Sequence, residues 1–447
     1  MASVAEQIAS HISLASFGKA TELKKRIWFT LGALVIYRLG TYIPLPGIDP
    51  AVLADVFRQQ SGGILGMFDM LAGGAFSRMT IFALNIMPYI SAAIILQLLT
   101  AVWPYFEQLK KEGEAGRKKI NQYTRYGTVI LSALQAYGIA VGLESMVAST
   151  GSAVISPGLF FRLTTVITLV GGTMFLMWLG EQITQRGVGN GISLIIFAGI
   201  VANLPQSLVG TLELGRTGAI SAGVIIVLFL LVVFVVAFVV FIERAQRRIV
   251  VQYPKRQSGN KMFGGEASHL PLKINTSGVI PPIFASSLLL LPITAAGFLS
   301  ATGPEWLNDI TMLLGHGQPL YLVLYAAFII FFAFFYTAVV FNPSDTAENL
   351  RKYGGFIPGI RPGKNTAEYL DYVLTRLTVV GAAYLTFISI LPEILIAEYG
   401  VPFYFGGTSL LIVVTVTMDT VSQIQSHLIA HQYEGLIRKS RLKGRRG

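Results

Sequence analysis

Ten apolar segments, each near the length that a lipid bilayer demands, recur along this 447-residue chain. A spanning helix needs about 20 mostly apolar residues. The segments fall at approximately 27–44, 77–100, 124–143, 159–180, 190–210, 218–242, 276–298, 318–341, 375–396 and 404–430. The stretch from Gly218 to Phe241 is the most apolar, while others carry Gly171-Gly172 or Pro281-Pro282. Such residues are tolerated in membrane helices where neighbouring helices satisfy the backbone. Charged residues make up only 13% of the chain, against about 25% in soluble domains. That supply does not cover a soluble surface, so a soluble globular enzyme and a disordered chain are both excluded. The expected fold is an all-α polytopic membrane protein with ten transmembrane helices.

The absence of Cys removes disulfides, thiolate nucleophiles, Cys-ligated zinc and iron–sulfur clusters. Lys19, Lys24, Lys25 and Arg26 precede the first apolar run, as basic residues do in a secretory signal. The run continues past any cleavage site, so the first segment is expected to be retained.

Orientation follows from where Lys and Arg fall. With the N-terminus in the cytoplasm and ten alternating spans, 29 of the 34 basic residues lie on the cytoplasmic side. The five others are Arg38, Arg58, Arg78, Arg162 and Arg216. Both termini are therefore expected inside. Two cytoplasmic loops are long and basic: 243–274, with Arg247, Arg248, Lys255 and Arg256 among its cations, and 342–374, with Arg361. Either they show ordinary positive-inside bias with contact to anionic lipids, or they dock a large acidic partner such as a motor protein or ribosomal RNA. Their length exceeds what joining two helices requires, which favours docking.

Five spans precede the middle of the chain and five follow it. A repeat of five spans placed twice in one chain is inverted relative to itself, as in many transport folds with a pathway between the repeats. This counting predicts an N-terminal cytoplasmic amphipathic segment (1–26), two inverted five-helix halves (27–210 and 211–430) and a basic cytoplasmic tail (431–447).

Candidates for chemistry are few. Among the five histidines only His427 and His431 have a ligand-like i, i+4 spacing, and a solvated helix end accounts for them better than a metal. The run from Arg186 to Gly191 has glycines like a phosphate loop, but no strand precedes it and no Lys-Ser/Thr follows, so it is expected to be a turn opening the next helix. Arg38 and Arg162 lie within snorkelling reach of the outer face. No set of buried carboxylates resembles an ion relay, which weighs against an ion-coupled solute carrier. No metal or cofactor is expected. The segment Ile64, Leu65, Gly66, Met67, Phe68, Asp69, Met70, Leu71, Ala72, Gly73 and Gly74 is apolar yet too short to span, with glycine pairs at its ends. It is either an interfacial re-entrant helix or a mobile stopper.

Long ungapped runs give this chain a family resemblance. They include Ile86–Ser91, Lys110–Glu114, Gln122–Gly127, Met177–Thr184, Arg186–Ile192, Gln246–Ile249, His269–Lys273, Phe341–Pro343, Pro358–Gly363 and Pro402–Thr408. In these motifs the chain resembles the SecY family, the channel subunits of the bacterial protein translocase, over nearly its whole length. The resemblance implies a clamshell of two halves around an hourglass pore in the bacterial inner membrane, a passive channel with no catalytic residues, and no cofactor. Unfolded secretory proteins would cross it and membrane helices would leave sideways. By motif, the pore ring falls on Ile86, Ile90, Ile192, Ile196, Ile283 and Ile412, and the plug on Ile64–Gly74. An aliphatic collar excludes ions by dewetting, and β-branched isoleucine is stiff at χ1. Gln97 and Asn275 match polar positions of the lateral gate where signal peptides intercalate. Arg361 and the Arg247-Arg248 pair, with Lys255 and Arg256 in the same loop, match the docking loops. The implied partners are SecE, SecG, the SecA motor ATPase, ribosomes, signal peptides and nascent chains.

Overall fold

The computed structural model describes residues 21–50, 52–53, 69, 72–145, 147–148, 151–218, 221–253, 256–258, 261–263, 267–299, 313, 318–399 and 407–443. A helix falls on each predicted span, though 77–86 are mostly turns and the second helix begins only at Met87: α1 (Thr21–Gly40), α2 (Met87–Val102), α4 (Glu114–Ser145), α5 (Leu159–Arg186), α6 (Gly191–Arg216), α7 (Ala222–Arg244), α8 (Ile280–Leu299), α9 (Pro319–Val340), α11 (Lys364–Tyr399) and α12 (Gly407–Lys443). Two short helices, α3 (Pro104–Lys111) and α10 (Pro343–Lys352), lie in the connections. Among the described residues, six spans, carried by α4, α5, α6, α7, α9 and α11, are long and apolar enough to cross a bilayer by length and composition alone. The remaining four fall short for visible reasons. Lys24, Lys25 and Arg26 dilute α1, and α12 turns polar from Asp419 onward. The apolar part of α8 counted among the described residues is Ile280–Leu289, and α2 is bent by 95° from α3 at Trp103. Pro104 at the first position of α3 suits a new helix start, because its missing N–H costs nothing there.

The chain divides into two compact units, one of Met1–Ala93, Asn121–Gln206 and Ile412–Gly447, the other of Ile94–Ile120 and Ser207–Leu411.

In the first unit, α4 and α5 are tied at both ends by ion pairs. Arg125 meets Glu181 at 2.6 Å, and Arg162 meets Glu144 at 2.6 Å. Glu144 also accepts from the Gly158 N–H ahead of α5, at 2.9 Å. The glycine-rich run at 187–191 is a turn, as its context predicts, and it gathers three other elements. The Val188 N–H donates to Thr30 Oγ1 on α1, the Gly189 N–H to Gln423 Oε1 on α12, and the Gly191 N–H to Thr184 Oγ1 on α5. Asn190 then caps α6 by accepting from the N–H groups of Ile192 and Ser193. A Cβ on Gly191 would overlap the Gly180 carbonyl, so the two helices meet backbone to backbone. Leu23, Val188 and Leu428 bury themselves around this turn.

In the second unit, the basic loop after α7 is a β-hairpin. Strand β3 (Gln246–Gln252) pairs antiparallel with β6 (Ala267–Lys273) in the register Gln246↔Lys273 to Gln252↔Ala267. A smaller pair, β4 (Arg256–Ser258) and β5 (Lys261–Phe263), lies between them, and β1 (Val147–Ala148) with β2 (Gly151–Ser152) forms a third pair in the first unit. One face of the hairpin puts Ile249, Val251 and Leu272 into a core with Ile357 and Leu370. The second basic loop therefore packs on the first, and Gln252 and Phe356 exchange two backbone hydrogen bonds of 2.9 Å. Between α9 and α11, Asn342 caps α10 through the Ser344 N–H, with Pro343 as the first helical residue.

Candidate functional site

Helix geometry sets the placement of the aliphatic candidates. The Ile90 N–H donates to the Ile86 carbonyl at 3.1 Å, so these two side chains stand one turn apart where α2 begins. Ile192 and Ile196 are likewise one turn apart, at the start of α6, where Asn190 fixes the helix end. Ile412 lies near the start of α12. Ile86, Ile90, Ile196 and Ile412 are buried, and Ile192 is half-buried. These five belong to the first unit; Ile283, half-buried in α8, belongs to the second.

Of the plug candidates, Asp69, Ala72, Gly73 and Gly74 are described, while Ile64, Leu65, Gly66, Met67, Phe68, Met70 and Leu71 lie outside the described residues. Asp69 Oδ1 accepts from the Ser77 N–H at 2.7 Å, and the Asp69 carbonyl accepts from the Gly74 N–H at 2.9 Å. Those two bonds curl the chain into a tight turn. Arg38, placed by sequence within snorkelling reach of the outer face, donates to the Gly73 carbonyl at 2.6 Å.

Asn275, ahead of α8, is buried and its amide is occupied on both sides. Nδ2 donates to Glu243 Oε1 at 2.7 Å and to the Gly278 carbonyl at 3.0 Å, while Oδ1 accepts from Ser277 Oγ at 3.0 Å. Gln97 on α2 is different: its Oε1 is buried with no hydrogen-bond partner among the described residues. Glu243 lies in the last turn of α7. The structure brings it to Asn275 from 32 positions away in the chain, and nothing local in the sequence announces that pairing.

Arg247 and Arg248 are exposed on β3, opposite Leu272 and Pro271. Arg361 is exposed on the loop between Gly359 and Gly363, both at positive φ, and Ile357 and Ile360 anchor that loop in the hairpin core. All three arginines thus stand on one folded module. Lys255 lies outside the described residues, as does the Arg256 side chain. Among the described residues no group of His, Asp and Glu is arranged to hold a metal ion.

Helices of spanning length, short extramembrane helices and a basic β-module define a multi-pass membrane protein. The SecY family model matches residues 80–421. The protein translocase subunit SecY of Rickettsia conorii is 57% identical over 422 residues, covering 94% of this chain and 97% of that protein. SecY of Escherichia coli K12 is 57% identical over 428 residues, covering 96% of each. A solved protein-conducting channel matches with a TM-score of 0.67 at 18% identity, over 91% of this chain and 92% of that one. Sec61 in a canine ribosome–channel complex matches with a TM-score of 0.64 over the same shares. The chain belongs to the SecY family, and its function is protein translocation at a membrane.

Proposed function

We propose that this chain is the gated channel through which unfolded secretory proteins cross the bacterial cytoplasmic membrane and from which membrane helices leave sideways. Near full-length identity to protein translocase subunits carries the reading. The paired isoleucines Ile86/Ile90 and Ile192/Ile196, with Ile283 and Ile412, serve as the collar. Their side chains offer a passing polypeptide no hydrogen bond to linger on and offer ions no ligand. The segment Ile64–Gly74 is the plug of this reading. Gln97 and Asn275 are its gate positions, and the five-helix halves 27–210 and 211–430 are its two moving parts.

The chain is a passive channel in this reading, with the work supplied by partners. Exposed Arg247, Arg248 and Arg361 on one β-module suit acidic surfaces of a SecA motor or of ribosomal RNA. A solved Sec61 channel and an Ssh1 complex are themselves ribosome-bound. Lys255 and Arg256 extend the same loop, SecE and SecG complete the assembly, and both termini face the cytoplasm.

The test uses the absence of native cysteine. One variant carries Ile90→Cys; another carries Phe229→Cys, at a position 66% exposed on α7. A secretory chain with a single Cys is stalled midway through export and oxidised. A disulfide at position 90 and none at 229 is expected. Disulfides at neither, in an export-competent preparation, move the pathway elsewhere and restore the rival reading of an inverted-repeat solute transporter.

A further inference from the structure

We propose that Arg38, Arg78 and Tyr42 form a latch that holds the C-terminal turn of the plug segment in its seat. The proposal rests on the plug reading above and adds the residues that keep the turn in place. At the outer end of α1, Arg38 Nη1 donates to the Gly73 carbonyl at 2.6 Å, and its other nitrogen donates to the Tyr42 hydroxyl at 3.2 Å. Four residues further along the same turn, Arg78 Nε donates to the Gly74 carbonyl at 2.8 Å, with Nη2 3.5 Å from the Gly73 carbonyl. Tyr42 lies between the two cations, its ring centroid 4.2 Å from the Arg78 guanidinium carbon and 5.1 Å from that of Arg38. A guanidinium presents several N–H donors in a fixed fork, so each arginine serves a carbonyl and the tyrosine together.

The seat itself is made of backbone. Gly73 has φ +67°, and a Cβ there would lie 2.8 Å from Gly199 Cα on α6. The turn thus touches α6 at Gly199, three residues after Ile196 and seven after Ile192. Two half-buried cations converge on two carbonyls of a buried turn, of which the Gly74 carbonyl also accepts from Ser77 Oγ at 3.3 Å. Withdrawing the turn from the end of α1 breaks the Arg38–Gly73 bond and parts Arg78, which travels with the turn, from the Tyr42 ring. The latch therefore gives the seated state a strong and reversible preference.

The experiment reads position directly. Ala72, beside the turn, is buried at 2% exposure, and Ala72→Cys supplies the only thiol. In proteoliposomes of the purified complex, an impermeant maleimide reports the rate at which that thiol is uncovered from the outer side. Arg38→Gln is expected to raise the rate about tenfold, the scale of one lost charge-assisted hydrogen bond. Arg78→Gln is expected to do the same, the double variant less than the product of the two. Arg38→Lys, which keeps one donor, falls between. Export of a reporter with a defective signal should rise in the same order. Unchanged labelling in Arg38→Gln and Arg78→Gln, at normal protein levels, overturns the latch. An equal rate in Arg38→Lys and Arg38→Gln also overturns it, since a role in folding alone would not rank them. Labelling needs no transport, so failure of the parent protein to export an intact-signal reporter counts against the channel reading and leaves the latch judged by its own measurement.

Discussion

An isoleucine in a membrane helix usually faces lipid or another helix, and only its neighbours say whether it lines a path. Ile90 is buried one turn from Ile86, which suits a collar closed on itself. Ile90→Asn puts an amide into the proposed collar. The expected outcome is a several-fold rise in resting ion current across planar bilayers holding the purified complex; an unchanged current removes Ile90 from the seal. The type of these residues was legible in the sequence. The partners of the charged ones were not. Arg162 was expected to snorkel and does lie at a helix end, but Glu144 claims it at 2.6 Å. Arg38 turns to a carbonyl 35 positions away in the chain. A long flexible cation selects its partner by three-dimensional proximity, which spacing along one helix does not encode.

Length and hydropathy report spanning helices well, because lipid leaves the backbone no alternative to internal hydrogen bonds. Each apolar segment accordingly carries a helix, though in 77–100 it begins only at Met87. The elements outside the membrane were harder to see. The loop 243–274 read as a run of charge, yet the alternation in Gln246–Gln252 is that of a half-buried strand, with Ile249 and Val251 inward and Arg248 and Val250 outward. The arginines drew attention away from that period. The hairpin turns a charge count into a rigid display, and this permits a contrast between two substitutions. Arg361→Glu reverses an exposed charge and leaves the core of the module intact. It should cut motor-driven export several-fold while largely sparing helix insertion. Ile249→Asp buries a carboxylate in that core, at a cost of several kcal/mol, and should abolish both activities or the protein itself. Equal loss of both activities in Arg361→Glu would mean that the residue supports the fold and not the docking surface.

At the scale of the molecule, the charge asymmetry predicts the chain's direction in the membrane, and the structure adds a ruler. Nineteen residues separate Arg125 from Glu144 on α4, and nineteen separate Arg162 from Glu181 on α5. At about 1.5 Å per residue this puts the two ion pairs roughly 28 Å apart, close to the thickness of a bilayer's hydrocarbon core of about 30 Å. Each charged pair then sits at an interface, where ions remain hydrated, and between them only Gln135 is neither apolar nor hydroxylated. In the orientation expected from charge, Arg125 belongs to the face with 29 of the basic residues and Arg162 to the face with five. Two thiols test this. Ile155→Cys, 72% exposed between α4 and α5, is expected to react with an impermeant maleimide from outside intact cells. Ser268→Cys, exposed on β6, is expected to react only after the inner membrane is opened. Between these positions the chain crosses three times, by α5, α6 and α7, so they must fall on opposite faces. Labelling of both from one side would mean that one of those helices does not span, and the alternation on which both cytoplasmic termini rest would fail with it.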